Sequence, residues 1–148
     1  HVIGELDTGN PSTIDPNELK AWREQGIIRY HGRMDDVRPH INKCDALVLP
    51  SYREGLPRVM LEGMSMAKPL IATDVPGCRD TIEEGRNGFL VKVRDSITLF
   101  EAMEKMILMG KKERAKMGIN GREMALRRFD ERQIVKQYLE LIEKAVVK

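Results

Sequence analysis

An uninterrupted apolar run constrains the fold of this chain more than any other feature of its sequence. Residues 46–49 are Ala-Leu-Val-Leu, and the turn Pro50-Ser51 ends the run. Such a run is typical of a strand buried on both faces, as in a parallel sheet covered by helices. Further strand-like runs occur at residues 2–3, 27–31, 70–73 and 89–91. The sequence therefore predicts a parallel sheet of about five strands.

Segments with a helical spacing of apolar residues separate these runs, at residues 17–25, 37–44, 58–66 and 79–84. Strands that alternate with helices form β-α-β units, which favours one Rossmann-like α/β domain over residues 1–148. After Val93 the pattern becomes helical only and predicts a helical C-terminal extension. Two apolar helix faces are predicted there, formed by Ile97, Phe100, Met103 and Ile107, and by Ile134, Tyr138, Leu141, Ile142 and Ala145.

The balance of charged residues limits the classes of partner that the chain is expected to bind. The chain has 25 Lys and Arg against 23 Asp and Glu, a net charge of +2, which argues against a general nucleic-acid binder. Residues 111–148 nevertheless carry 11 basic and 6 acidic side chains, a net charge of +5. Such a cluster is typical of solvated helix faces. The alternative is weak attraction to an anionic lipid surface.

Cysteine and histidine give little sign of a metal site. Cys44 and Cys78 lie far apart with no second thiol near either, and His1, His31 and His40 lack the spacing of helical ligands. We therefore predict no metal. Two cysteines in a domain of this size fit a reducing compartment, and no apolar run is long enough to span a bilayer. The expected location is the cytoplasm, including the periphery of the inner membrane face.

The turn after residues 46–49 carries the candidate site. Glu54 lies in this turn, and Glu62 lies about five residues into the helix that begins near Pro57, roughly 7–8 Å along its axis. Ligands of parallel sheets bind beyond the carboxyl ends of the strands. Ionised carboxylates accept hydrogen bonds from sugar or ribose hydroxyls, and a helix start favours phosphate oxygens. Together these features favour a sugar nucleotide. Alternatively, Glu54 only stabilises the first helical turn and Glu62 is a solvated helix residue.

Residues 50–64, Pro-Ser-x-x-Glu-Gly-Leu-Pro-x-Val-x-Leu-Glu-Gly-Met, resemble the segment with two glutamates in retaining glycosyltransferases of family 4, which have the GT-B fold. Gly4 and residues 30–34, 69–80 and 84–91 resemble further parts of the C-terminal domain of that family, in the same order. The resemblance covers nearly the whole chain.

The resemblance implies transfer of a sugar from a nucleotide-sugar donor to an acceptor hydroxyl, with retention of configuration. It implies that Glu62 binds the ribose hydroxyls and that Glu54, the catalytic candidate, contacts the donor sugar. The backbone at Gly55 and Leu56 would approach the sugar and diphosphate, and the backbone at Met34 would meet the base. No cofactor is implied, because the donor, expected to be a UDP-sugar, is a substrate.

The sequence of residues 51–58 is similar to that of family members that build bacterial cell-surface polysaccharides. This similarity predicts a hexosyl- or N-acetylhexosaminyltransferase with a lipid-linked or polysaccharide acceptor. The alternatives are a non-catalytic sugar-nucleotide-binding module and a sugar-nucleotide epimerase of the same GT-B architecture. An epimerase shares the fold but not residues 50–64 as they stand here, and it needs no acceptor.

The sequence also departs from the family. Pro57 stands where glycine is frequent and removes one backbone donor. Gly63 stands where alanine is usual, at a cost of roughly 0.5–1 kcal/mol in a helix unless close approach demands it. The chain starts at the second strand of the family's domain, so we expect it to lack the first strand and helix and the N-terminal acceptor domain. We expect it to be inactive alone and to self-associate weakly, through an open sheet edge and the apolar face of residues 132–147.

Overall fold

The computed structural model describes residues 1–7, 9 and 13–146. The chain packs as two compact units, His1–Pro39 and His40–Lys148, and one sugar-nucleotide-binding domain over residues 1–148 stays a prediction. The helices and strands, in chain order, are α1 Pro16–Glu24, α2 Arg38–Lys43, β1 Leu47–Leu49, α3 Arg58–Ser65, β2 Leu70–Thr73, α4 Pro76–Arg79, β3 Gly88–Val91, α5 Ser96–Leu108, α6 Gly110–Arg128 and α7 Glu131–Val146.

The first unit contains one helix that is set by local signals. Helix α1 begins after Asp15, whose carboxylate accepts a hydrogen bond from the N–H of Asn17 at 2.7 Å. Pro16 occupies the first turn, where its fixed φ suits the helix. Leu19 is the buried residue of the helix. The predicted helix at residues 17–25 is therefore confirmed to within a residue.

The predicted strand at residues 27–31 is wrong. Val2 and Tyr30 instead form an isolated parallel bridge. The N–H of Val2 donates a hydrogen bond to the main-chain carbonyl of Arg29, and the N–H of His31 donates one to the main-chain carbonyl of Val2. Gly4 and Gly32 follow at once with φ of +145° and +68°. The N–H of Gly4 still donates a hydrogen bond to the main-chain carbonyl of Gly32 at 2.9 Å. The positive φ values lie outside the range of a β-strand, so the pairing does not continue as a regular ladder.

The second unit contains a three-stranded parallel sheet in the order β1-β2-β3. Leu47 pairs with Leu70 in β2, and Leu70 pairs with Gly88 in β3. All four residues of the central strand β2 are buried. The predicted α/β class with a parallel sheet is confirmed, although the described residues contain three strands where the sequence predicted about five.

Helices cover both faces of this sheet. On one face α3 and α6 bury a cluster that contains Met60, Met64 and Met124 together with Leu70 and Ala72. On the other face α5 and α6 bury a second cluster that contains Ile71, Phe89, Val91, Ala102, Met106 and Met117. Alternate residues of β2 thus enter opposite clusters, as expected of a strand buried on both sides.

Two sequence-based expectations for the later helices need correction. The helix predicted at residues 79–84 lies at Pro76–Arg79, because Pro76 suits a first helical turn. The apolar face predicted for α5, which includes Ile97 and Ile107, is 41–71% exposed. Helix α5 instead turns the small Ala102 and Met106 toward the sheet.

All described residues of α7 are exposed. This agrees with the expectation that the apolar face of residues 132–147 has no partner here; Val147 itself lies outside the described residues. In the part of the chain that the structure describes, no helix is both long and apolar enough to cross a membrane.

Candidate functional site

The candidate site lies where the carboxyl ends of the three strands of the second unit meet. Strands β1 and β2 are tied together there, because the Thr73 hydroxyl donates a hydrogen bond to the main-chain carbonyl of Ser51. The segments after β1 and β3 also meet, since the Arg94 guanidinium lies 5.1 Å from the centre of the Tyr52 ring. The backbone of Arg94 adopts a left-handed conformation with a φ of +58° in the segment that follows β3. The turn that carries Glu54 is therefore held from two sides.

Gly77, in α4, packs against the backbone of this turn. A Cβ atom on Gly77 would lie 1.4 Å from the carbonyl oxygen of Gly55 and 3.1 Å from that of Glu54. The backbone of α4 thus packs directly against the Glu54–Gly55 peptide, and no side chain fits between them. Sequence reasoning did not assign this role to Gly77. The available signal was a glycine just after the strand that neighbours β1.

Glu54 is half-buried, in the turn between β1 and α3. Burial raises the pKa of the Cys78 thiol, and the negative charge of Glu54 raises it further. The carboxylate therefore lies within electrostatic reach of α4, in which Cys78 is fully buried. In residues 1–7, 9 and 13–146, the side chain of Glu54 has no hydrogen-bond or ion-pair partner, so its oxygens remain available as acceptors.

Glu62 is also half-buried and occupies the fifth position of α3. Its carboxylate likewise has no hydrogen-bond or ion-pair partner among the described residues. The neighbouring Gly63 lets the helix approach the sheet, because a Cβ there would lie 2.8 Å from Leu47 Cδ2 and 3.0 Å from Leu70 Cδ2. The side chains of Leu47 and Leu70 therefore pack directly against the backbone of α3 at Gly63.

Between the two glutamates the backbone is accessible. Gly55 is exposed with nothing within 4 Å of a Cβ built on it, and Leu56 is 46% exposed. Pro57 is buried and caps α3 with an extended backbone, so it precedes the helix rather than opening it. The first N–H groups of a helix have no partner within the helix. The segment therefore combines two carboxylate acceptors with backbone donors at a helix start.

The structure brings four of the five predicted site residues into one loop and helix: Glu54, Gly55, Leu56 and Glu62. The fifth, Met34, belongs to the first unit, where it is half-buried in the loop that follows Gly32. It is not part of the segment that joins β1 to α3.

Charged side chains surround this segment in the second unit. Arg53, Arg58 and Lys92 are exposed and follow the ends of β1 and β3. Asp74, directly after β2, accepts a hydrogen bond from Arg79 at 2.6 Å, and this contact raises the pKa of the Arg79 guanidinium. The turns after the three strands hold three cations and three anions, so their charges balance: Arg53, Lys92 and Arg94 against Glu54, Asp74 and Asp95.

Comparison with known proteins agrees with this arrangement. A sequence profile of the family described as "Glycosyl transferases group 1" matches residues 1–108. An N-acetylgalactosaminyltransferase from Campylobacter jejuni, named for a diphospho-undecaprenol substrate, is 31% identical over 98% of this chain and 37% of its own length. The capsular polysaccharide biosynthesis glycosyltransferase CapM from Staphylococcus aureus is 31% identical over 94% of this chain and 36% of its own.

Solved structures show the same fold. HepE from Anabaena, crystallised in complex with UDP, superimposes with a TM-score of 0.83 at 25% identity, over 96% of this chain and 40% of HepE. A sucrose-phosphate synthase from Thermosynechococcus elongatus superimposes with a TM-score of 0.82 at 24% identity, over 98% of this chain and 38% of the synthase.

The chain spans about a third of the length of the curated relatives it matches. The resemblance found in residues 50–64 is confirmed by the profile match, by the relatives and by the structural neighbours. The chain belongs to the group 1 family of glycosyl transferases and has a GT-B-type fold.

Proposed function

We propose that this chain is the donor-binding part of a retaining glycosyltransferase that moves a sugar from a UDP-sugar to an acceptor hydroxyl. The observation that carries the proposal is the pair of half-buried carboxylates, Glu54 and Glu62, on either side of the start of α3 at the carboxyl edge of a parallel sheet. Each carboxylate lacks a partner among the described residues. Each is therefore free to accept hydrogen bonds from ligand hydroxyls.

The geometry supports separate roles for the two carboxylates. Glu62 lies on the helix and accepts hydrogen bonds from the ribose hydroxyls. Glu54 lies in the turn beside the exposed backbone of Gly55 and Leu56, and it contacts the donor sugar at the reacting side. The start of α3 and the exposed Arg53 and Arg58 offset the charge of the diphosphate. In this proposal the site takes no metal and no cofactor. The role of Met34 at the base stays a prediction from the sequence.

Uridine is the base that the neighbours favour. HepE was crystallised with UDP and also with UDP-glucose, at 25% identity to this chain. The names of the relatives refer to capsular polysaccharide biosynthesis and to a diphospho-undecaprenol compound. We therefore place the parent enzyme among hexosyl- or N-acetylhexosaminyltransferases of bacterial cell-surface polysaccharide synthesis. It works in the cytoplasm, at the inner membrane face, on a lipid-linked or polysaccharide acceptor.

Calorimetric titration of the 148-residue chain with UDP, GDP and UDP-sugars tests the proposal. Glu62→Ala is expected to weaken the binding of both UDP and a UDP-sugar about 10- to 150-fold, the range of a lost hydrogen bond to a charged group. Glu54→Gln is expected to weaken the binding of the UDP-sugar and to leave UDP unchanged, because Glu54 contacts only the sugar.

Glu123→Ala is the matched control, since Glu123 is an exposed glutamate of α6 and the change in net charge is the same. UDP binding that is equally strong in the parent and in Glu62→Ala would contradict the role of Glu62. No binding of any nucleotide by the parent chain would contradict the proposed donor site.

A further inference from the structure

The corner between α5 and α6 joins exposed apolar side chains to exposed lysines. Ile107 and Leu108, at the end of α5, are 71% and 77% exposed. Lys111 and Lys112, in the first turn of α6, are also exposed. Residues 105–112 contain three lysines and no acidic residue. Neither the proposed donor site nor the core of the second unit uses these four side chains.

The structure holds this corner firmly. Gly110 makes the turn with a φ of +80°, a conformation that glycine adopts at little cost. The Arg114 guanidinium donates hydrogen bonds to the main-chain carbonyls of Met106 at 3.2 Å and Ile107 at 3.1 Å. Met106 and Met117 anchor the two helices in the core. The apolar tip is therefore presented to solvent by an ordered scaffold and is not a frayed helix end.

We propose that this corner docks on an anionic lipid surface. Ile107 and Leu108 enter the interfacial region of the bilayer, and Lys111 and Lys112 lie against the lipid phosphates. A short apolar insertion binds a membrane weakly, and a basic patch binds it weakly, but the two together hold a protein at the surface. The inference rests on the proposed location at the membrane but not on the proposed sugar transfer.

The distribution of charge sets the extent of the contact. Toward its N-terminus, α5 exposes Glu101 and Glu104 beside the apolar Ile97 and Phe100. Anionic lipids repel these glutamates and also the exposed Asp45, whose carboxylate lies 3.4 Å from the Arg114 guanidinium. Only the tip of the corner therefore approaches the surface. Glu113 follows Lys112 and marks the other limit of the contact.

The same charges argue against a second copy of this chain as the occupant. A two-fold contact centred on the corner would bring Lys111 and Lys112 of one copy against the same lysines of the other. An anionic lipid surface complements these lysines, whereas a second copy repels them.

Vesicle flotation of the 148-residue chain, without nucleotide, tests the proposal. We expect binding to phosphatidylcholine vesicles that contain about 30% phosphatidylglycerol, and much weaker binding to phosphatidylcholine alone. Lys111→Glu/Lys112→Glu is expected to lower the partition coefficient about tenfold or more. Lys136→Glu/Lys144→Glu is the matched control, because both lysines of α7 are exposed and the net charge changes equally.

The apolar half is tested by Leu108→Ser, which is expected to lower binding severalfold. Its control is Ile27→Ser, at a side chain of the first unit that is 64% exposed. All these positions are exposed, and circular dichroism verifies that each variant is folded. A parallel UDP titration separates failure of this inference from failure of the proposed function, since it probes the donor site alone.

Several results would overturn the proposal: no binding to either vesicle, equal binding to both, or an equal loss of binding in a variant and its control. Sedimentation velocity could supply a further result that overturns the proposal. If Leu108→Ser converted a dimer to a monomer and left vesicle binding unchanged, the corner would be an interface between copies.

Discussion

Helices α3 and α7 are both amphipathic, but in this structure they differ in what their apolar faces touch. Met60 and Met64 of α3 are completely buried against the sheet. In α7 every described residue is exposed, including Leu139 at 54% and Leu141 at 62%. A helical spacing of apolar residues thus predicts a helix and its apolar face, but it does not predict what covers that face.

The difference follows from connectivity. Helix α3 joins two neighbouring parallel strands, β1 and β2, through residues 50–57 and 66–69. A crossover helix of this kind packs back onto the sheet that it connects. Helix α7 follows α6 and leads to no further strand among the described residues. Its face is therefore free to take a partner, whereas the face of α3 is committed to the core.

The largest expected change in the free energy of unfolding comes from shortening one apolar side chain on α3 and comparing the result with the same change on α7. Met64→Ala should lower the free energy of unfolding by about 2–5 kcal/mol, because it leaves a cavity in a packed cluster. Leu141→Ala should change it by no more than about 0.5 kcal/mol. Urea denaturation of both variants measures the difference. Similar losses in the two variants would mean that α7 is covered in solution.

A smaller loss of stability is expected from a substitution at Gly77, which packs against the turn that carries Glu54. Gly77→Ala should cost about 1–3 kcal/mol of stability, because its methyl group overlaps the Gly55 carbonyl and the turn must move. UDP-sugar binding should weaken with it. Gly121→Ala is the control, since a Cβ there meets Asn87 at an ordinary 3.5 Å. Unchanged stability and binding in Gly77→Ala would show that the turn is not held as the structure indicates.

The smallest expected effect is a dependence of stability on pH. Burial raises the pKa of the Cys44 and Cys78 thiols above the ordinary value of 9.0. The folded chain then keeps protons that the unfolded chain loses, so the free energy of unfolding should fall as the pH rises above about 9. Thermal unfolding between pH 7 and about 10 should show a shallower fall in Cys44→Ala/Cys78→Ala than in the parent. Parallel curves would contradict this expectation.

The segment from β1 to α3 could be predicted from the sequence because its signals are local. The apolar run, the turn at Pro50, and the residue types at 54 and 62 all lie within one short stretch. Their structural consequence, two carboxylates at a sheet edge, depends only on a strand followed by a helix. The family resemblance used this stretch together with Gly4 and residues 30–34, 69–80 and 84–91, and the profile match to residues 1–108 confirms it.

The features that were mispredicted or missed depend on contacts distant in sequence. Residues 27–31 have a strand-like composition, but their partner segment offers a single bridge. The buried side of α5 holds Ala102 and Met106, whereas the more apolar Ile97 and Ile107 are exposed. Gly77 matters because Gly55 lies against it. A glycine soon after β2 was a hint, but the contact itself joins turns that follow two different strands.

Helix α6 has a consequence for where a stable domain can be cut. The family profile ends at residue 108, yet Met117 belongs to the core cluster on one face of the sheet and Met124 to the cluster on the other. Gly118 packs so closely on the Ala67 carbonyl that a Cβ would lie 1.9 Å from its oxygen. A fragment that ended at residue 108 would lose the α6 side chains of both core clusters. We therefore expect the stably folded unit to extend beyond the segment that the family profile matches.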